Sequence, residues 1–196
     1  YYHPRACTES APWMRDYDLV RTWHTVDGAG IRAIDVTRKR ARGLVSGAVS
    51  QSYPLRQRIV LNPQAAGLDR LRHPGYSNRG SKTPEYLDTI ARYKVHVCTA
   101  SRFAFALRKI FESIAVGTSV VTDLPDWDIL PAIDGALYRI RPEATIGDVR
   151  EAVDRAEADW EFSNQMMWAA RARAFYDYEH IGRRLSALLC GREVAV

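Results

Sequence analysis

The sequence predicts an α/β fold, a doubly wound parallel sheet followed by a long helical segment at its C-terminal end. Two observations predict it. β-branched runs such as 94-KVHVCTA-100 and 118-TSVVTD-123 alternate with stretches of helical spacing, the pattern of βαβ units. The segment 107-LRKIFESIAVGTSVVTD-123 holds one whole unit: an amphipathic helix, a break at Gly117, then a strand.

The elements follow in order. Residues 1–40 are rich in Trp, Arg and His and hold one short apolar element, 16-DYDLVRTWH-24, expected as a late strand of an earlier domain with its connecting loop. The tract 38-RKRAR-42 reads as a solvated basic linker. From there to residue 160 runs the expected doubly wound unit, 41–160. The run 43-GLVSGAV-49 is a small-residue strand, and 53-YPLRQRIVLN-62 is a helix opened by proline in its first turn. The Gly, Pro, Ser and Asn of 67–84 mark a loop with a short strand at its start. Pro84 and Glu85 open a helix to Tyr93, and strand 94–100 leads into helix 102–116 and strand 118–123. A Pro/Asp-rich turn with a short helix fills 124–134, and a strand lies at 136–141. Thr145 is the expected N-cap of helix 145–159, where Val149, Ala152, Val153 and Ala156 keep helical spacing. The remainder, 161–196, is helical to about Cys190, with a break near Tyr176–Tyr178.

Composition bounds the function. A chain of 196 residues with 46% hydrophobic content buries a sizeable core. It has no apolar run of about eighteen residues, so no membrane span is expected. Cys7, Cys98 and Cys190 are odd in number and far apart, which excludes a disulfide framework and shows no zinc spacing. A cytoplasmic protein without a metal site is expected. The opening YYHPRACTESAPW has no basic start, apolar core or initiating methionine, and reads neither as a signal peptide nor as a natural beginning. A net charge of +5 suits nucleotides, phosphates or nucleic acid as ligands.

In open parallel sheets, ligands lie outside the carboxyl ends of the strands, near helix N-termini. That rule selects the loop after 43–49, the loop 99-TASR-102 and the turn after 119–123. None carries a G-x-G-x-x-G fingerprint or a Walker loop, which disfavours nicotinamide enzymes and P-loop kinases. On a helical wheel Phe103, Leu107, Ile110, Phe111, Ile114 and Ala115 face the sheet, while Arg108, Lys109, Glu112 and Ser113 fall on the other side. An Arg108–Glu112 pair at i,i+4 is an ordinary surface pair, in the less favourable order.

The segment 93-YKVHVCTASRFAFALRKIFESIAVGTSVVTDLPD-126 resembles the C-terminal, donor-binding half of GT-B glycosyltransferases, in the family-1-like branch that includes spore-maturation-type proteins. The resemblance rests on Thr99-Ala100-Ser101, on Arg108 to Gly117 and on Val120 to Asp123, in order. The segment 44-LVSGAVSQSYPLRQRI-59 is similar to the opening strand, glycine loop and helix of that half, and 175-FYDYEHIGRRLSALL-189 to its closing aromatic helix.

The resemblance implies a nucleotide-diphosphate sugar as donor, no tightly bound cofactor, and a glycan, protein or DNA acceptor. It makes Glu112 the ligand of the ribose hydroxyls. It places Arg56, Arg108 or Lys109 and the helix N-terminus after Ser101 at the diphosphate, with Gly47 giving the close backbone approach. Many retaining members carry a second glutamate eight positions earlier, where this chain has Ala104. A general base is expected from the acceptor side, with His24 the candidate and His3, Asp16, Asp18 and Asp27 the polar groups around it. His73 and Tyr76 are expected to line the cleft. The helices after 160 are expected to pack back through Trp160, Phe162, Trp168, Phe175 and Tyr178. Two other readings remain open: a nucleotide-binding module without catalysis, and a basic nucleic-acid-binding protein.

Overall fold

The computed structural model describes residues 3–17, 19, 21–71 and 83–191. A short helix α1 (Pro4–Ser10), a 3-10 turn (Pro12–Asp16) and helix α2 (Gly28–Arg32) precede the sheet. Then come β1 (Arg40–Ser46), α3 (Pro54–Leu61), β2 (Leu68–Leu71), α4 (Thr83–Ala91), β3 (Tyr93–Val97), α5 (Arg108–Ala115), β4 (Ser119–Thr122) and β5 (Leu137–Arg139). Helices α6 (Ile146–Ala158), α7 (Phe162–Phe175) and α8 (Tyr178–Leu189) complete the chain.

The five strands pair in the order β2-β1-β3-β4-β5, every pair parallel. The order reverses between β1 and β3, since β1 leads outward to β2 and the chain returns across it to β3. That reversal is the switch point at which this topology leaves a crevice beyond the strand ends.

Both sheet faces are covered, so the strands read as near-continuous apolar runs rather than alternating ones. Val45, Val95, Val97 and Val121 join α3 and α6 in one apolar cluster, through Leu55, Ile59 and Val153 among others. Leu44, Cys98 and Val120 join α4, α5 and α7 in the other, around Phe111 and Tyr176. Trp23, Val26 and Ile31 of the leading segment belong to this second cluster. Tyr176 centres it: fully buried, its ring lies 4.6 Å from Phe111, and its hydroxyl donates to the Pro131 carbonyl at 2.6 Å. Burying two such aromatic rings stabilises the α5–α7 interface by roughly 1.5–3 kcal/mol each.

Several expectations hold. Pro54 opens α3, Thr145 caps α6 in a reciprocal capping box with Asp148, and the helical tail breaks at Tyr176 and Asp177. Gly117, with φ of +72°, turns the chain from α5 into β4.

Others fail for identifiable reasons. The described residues of 16–24 form no strand; the bridge nearest to them is made by Val26, two residues further on, with Asp177. The 38–42 tract is not a free basic turn, because Arg40 and Arg42 lie in β1, and Lys39 reaches the Tyr93 and Val116 carbonyls. The turn at 124–134 forms no α-helix, only the 3-10 turn Asp134–Ala136 at its end. Helix α5 starts at Arg108 rather than at 102, because Ala104 takes a left-handed φ of +56° and breaks the helical path. Phe103 is therefore 37% exposed instead of packed on the sheet. Lys109, Glu112 and Ser113 are buried, not solvent-facing. A wheel assumes one neighbour, but α5 packs on β4, on α4 and on α7, leaving only its Arg108 end partly open.

Candidate functional site

The carboxyl ends of β1, β3 and β4 meet at the switch point, and buried polar groups gather there. Gly47 follows β1 with φ of +116°, a conformation that a side chain rarely takes. A Cβ at this position would stand 2.7 Å from Nη1 of Arg56. The glycine thus both makes the turn and admits the guanidinium.

Arg56 reaches in from α3 and is almost fully buried. Its Nε donates to Thr99 Oγ1 at 3.0 Å, Nη1 to the Ala48 carbonyl at 3.0 Å and Nη2 to the Thr99 carbonyl at 3.2 Å. The plane lies 3.9 Å from the centre of the Tyr53 ring. Arg56 ties the loop after β1 to the loop after β3, across the switch point itself. Its donors face two carbonyls and a hydroxyl of the protein itself, and its charge is what it contributes outward.

Lys109 projects from the first turn of α5 into the same place, and its Nζ donates to the Ser46 carbonyl at 2.9 Å. Burial, with Arg56 nearby, pulls its pKa down to about 7. Asp123, just past β4, is the counter-charge: its Oδ1 accepts from the Ala100 N–H at 2.5 Å. Burial raises its carboxyl, while that N–H, Lys109 and Arg56 oppose the rise. Two buried basic side chains and one buried carboxylate therefore lie within electrostatic reach of one another at the strand ends. Keeping both cations charged in this setting is costly unless an anion meets them, and the lowered pKa of Lys109 expresses that cost.

Ser101 lies at the rim. Its hydroxyl accepts from the Phe103 N–H at 3.2 Å and its carbonyl from the Ala104 N–H at 2.8 Å, so it shapes the turn. The helix N-terminus expected directly after it stands instead at Leu107, whose apolar side chain caps no N–H of the first turn. Ala104 occupies the left-handed position of that turn.

A second group lies on the neighbouring side of α5. Arg108 Nε sits 2.7 Å from Glu112 Oε1, and Arg108 Nη2 donates to the Tyr178 hydroxyl at 3.4 Å. The Glu112 side chain is only 8% exposed; burial raises its carboxyl and Arg108 opposes the rise. His24 lies on the same side, its ring 6.1 Å from Phe111. Burial, reinforced by the Arg108 charge, lowers its pKa to about 4, so its imidazole is neutral near pH 7.

The expected residues thus form two sets: Gly47, Arg56, Ser101 and Lys109 at the switch point, and His24, Arg108 and Glu112 beside α7 and α8. His3 and Asp27 serve as N-caps of α1 and α2, accepting from Arg5 and Gly30 N–H groups. Asp18, His73 and Tyr76 lie outside the described residues. Asp123 and the buried His96 were not anticipated as site groups. Asp123 closes the quoted Thr-Asp motif, and its place at the end of a buried strand is the signal that pointed to it. Among the described residues, no group of three His, Cys, Asp or Glu side chains has metal-binding geometry, and no helix is long and apolar enough to cross a membrane.

No protein-family model and no curated protein matches this sequence. Among solved structures, the chain is similar to sucrose-phosphate synthase from Thermosynechococcus elongatus, with a TM-score of 0.56 and 13% sequence identity. The match covers 93% of this chain and 56% of that one, so this chain spans about half the length of the synthase. At this identity the likeness is one of fold: an α/β unit with a five-stranded parallel sheet and C-terminal helices, similar to the Rossmann-like half of a GT-B glycosyltransferase.

Proposed function

We propose that this chain is the donor-binding half of a glycosyltransferase, taking a nucleotide-diphosphate sugar in the crevice at the switch point and passing the sugar to a glycan, protein or DNA acceptor. One observation carries the reading: the buried Arg56 and Lys109 side chains gather at the carboxyl ends of β1, β3 and β4, with Asp123 the carboxylate in electrostatic reach of both. A diphosphate is the ligand that supplies the missing negative charge, and its departure is what those cations and the uncapped first turn of α5 would stabilise.

In this reading Lys109 is the direct hydrogen-bond donor to the diphosphate. Arg56 holds the two loops and adds charge from behind. Gly47 and Ser101 set the backbone that lines the pocket. Glu112 accepts from the two ribose hydroxyls, with Arg108 keeping the carboxylate ionised despite its burial. His24, neutral near pH 7, is the candidate base for the acceptor hydroxyl. Ala104 contributes no carboxylate to the sugar. The ammonium and the helix dipole take the role that a metal plays elsewhere, and no tightly bound cofactor is assigned. The protein acts in the cytoplasm, where nucleotide sugars are made.

Calorimetry with UDP, GDP, ADP and TDP tests the reading. One of them binds in the micromolar range, and Glu112→Ala weakens that binding by about ten-fold or more, the loss of hydrogen bonds to a charged group. Failure of all four to bind overturns the reading. Unchanged binding by Glu112→Ala overturns the ribose assignment alone.

A further inference from the structure

Beneath the switch point runs a closed circuit of hydrogen bonds that begins and ends on Lys109. Ser113 Oγ donates to the Lys109 carbonyl at 2.6 Å, one turn back along α5. The same oxygen lies 2.7 Å from His96 Nδ1, and His96 Nε2 lies 2.8 Å from Ser46 Oγ. The Ser46 carbonyl in turn accepts the Lys109 ammonium at 2.9 Å. Tyr86 of α4 adds a branch, its hydroxyl 2.7 Å from Ser46 Oγ. Ser46, His96 and Ser113 are 1%, 0% and 0% exposed.

One assignment of the protons satisfies the whole circuit. Ser113 gives its hydroxyl proton to the Lys109 carbonyl, so it accepts from His96, which is therefore the Nδ1–H tautomer. Nε2 is then an acceptor, filled by the Ser46 hydroxyl, and Ser46 accepts from Tyr86. Every bond runs one way, and all are made with His96 neutral. A buried network satisfied in this manner admits one arrangement and resists others. Burial, then the Lys109 and Arg56 charges, keep His96 neutral by lowering its pKa well below the usual imidazole range.

We propose that His96, acting with Ser46 and Ser113, is a positioning residue that grips Lys109 at its carbonyl and at its ammonium and so aims the ammonium into the switch-point crevice. The inference rests on the reading of Lys109 as a phosphate ligand. Without the circuit, Lys109 is a long side chain with several rotamers, and ordering it would fall on the binding step. With it, the ammonium is placed before the ligand arrives. The charged and titratable groups around it are Arg56 from α3, Tyr86 from α4, His96 and Cys98 from β3, Asp123 after β4, and Glu112 on its own helix.

Two measurements on the full chain test this. The first needs no nucleotide: the Lys109 amine is titrated by NMR with lysine carbon-labelled beside the nitrogen, its signal identified by loss in Lys109→Met. The wild-type midpoint falls near 7. Ser113→Ala and His96→Phe move it up by about one unit or more, as the released amine finds water. Ser113→Ala keeps a good helix former, so it decides the matter if His96→Phe does not fold. An unmoved midpoint overturns the proposal.

The second is UDP binding by calorimetry in a double-mutant cycle. Ser113→Ala weakens binding by about five-fold in the wild-type background and leaves it unchanged in Lys109→Met. Equal losses in both backgrounds overturn the proposal, since they mean that the circuit does not act through Lys109. If the wild-type chain binds no UDP, the cycle is run with whichever of GDP, ADP and TDP it binds; if it binds none of the four, the donor reading fails and the midpoint alone decides the positioning role.

Discussion

Two buried lysines sit at opposite ends of the same sheet, and they differ in the company they keep. Lys39, at the amino ends of the strands, gives its ammonium to the Val116 carbonyl at 3.1 Å, to Thr118 Oγ1 at 3.2 Å and to the Tyr93 carbonyl at 3.4 Å. Lys109, at the carboxyl ends, has the Ser46 carbonyl. Both pKa values fall to about 7, but burial lowers that of Lys39, whereas Arg56 adds to burial at Lys109. Lys39 fills its three donors on the Val116 carbonyl at the C-terminus of α5, the Thr118 hydroxyl and the Tyr93 carbonyl of β3, bracing the helix end against the sheet. Lys109 stands among cations with donors to offer. The same shift thus marks a structural plug at one end and, on the function proposed above, an anion receptor at the other, and the hydrogen-bond partners, not the pKa, tell them apart.

The largest expected effect breaks this symmetry directly. Lys109→Met weakens UDP binding by roughly 10- to 100-fold, the loss of about 1.5–3 kcal/mol from a hydrogen bond to a charged group. Lys39→Met leaves the same calorimetric affinity unchanged and lowers thermal stability instead, because it strips the donor from the C-terminus of α5. Equal effects of the two substitutions on UDP affinity would show that neither end of the sheet is special.

A pair of glycines sharpens the contrast at the next level. Gly47 and Gly117 both have positive φ, at the carboxyl and amino ends respectively. A methyl at Gly47 meets the Arg56 guanidinium, which is held by three protein acceptors and cannot retreat without breaking the clamp. A methyl at Gly117 meets Met166 Cε, the free end of a flexible chain. Gly47→Ala therefore destabilises by about 2–3 kcal/mol, read as a shift in the urea midpoint, and Gly117→Ala by about 1–2 kcal/mol, mostly backbone strain. Gly47→Ala also weakens nucleotide binding, and Gly117→Ala does not.

What could be read from the chain alone follows the range of the forces involved. Proline at the start of α3, the capping box at Thr145 and the turn at Gly117 are local, and the residues that make them lie within a few positions of one another. Gly47, Arg56, Ser101 and Lys109 were legible as a set because each belongs to a strand end or a first helical turn. The inward course of Arg56 was not, since its acceptors at Thr99 lie 43 positions away. The burial of Glu112 depends on α7, a helix from beyond the sheet that a wheel of α5 cannot include. His96 looked like one more residue of a buried strand; only the juxtaposition of Ser46, Ser113 and Lys109 makes it part of a circuit.

The finest test of the comparison is pH. A lysine whose folded pKa lies near 7 and whose unfolded value is the ordinary 10.5 leaves the unfolded chain holding more protons between those values. Stability then rises as pH climbs from about 7, by at most about 1.4 kcal/mol per pH unit for each lysine. Cys98 runs the other way as pH nears the ordinary thiol range, because burial raises its folded pKa above the unfolded one, so the clean window is pH 7 to 8.5. Urea denaturation across that window shows a rising midpoint for the wild-type chain. Lys39→Met and Lys109→Met each remove part of the slope. Saturating UDP separates them: it holds Lys109 protonated and so removes its share, while the share of Lys39 persists. A slope that UDP leaves untouched would place the nucleotide away from Lys109.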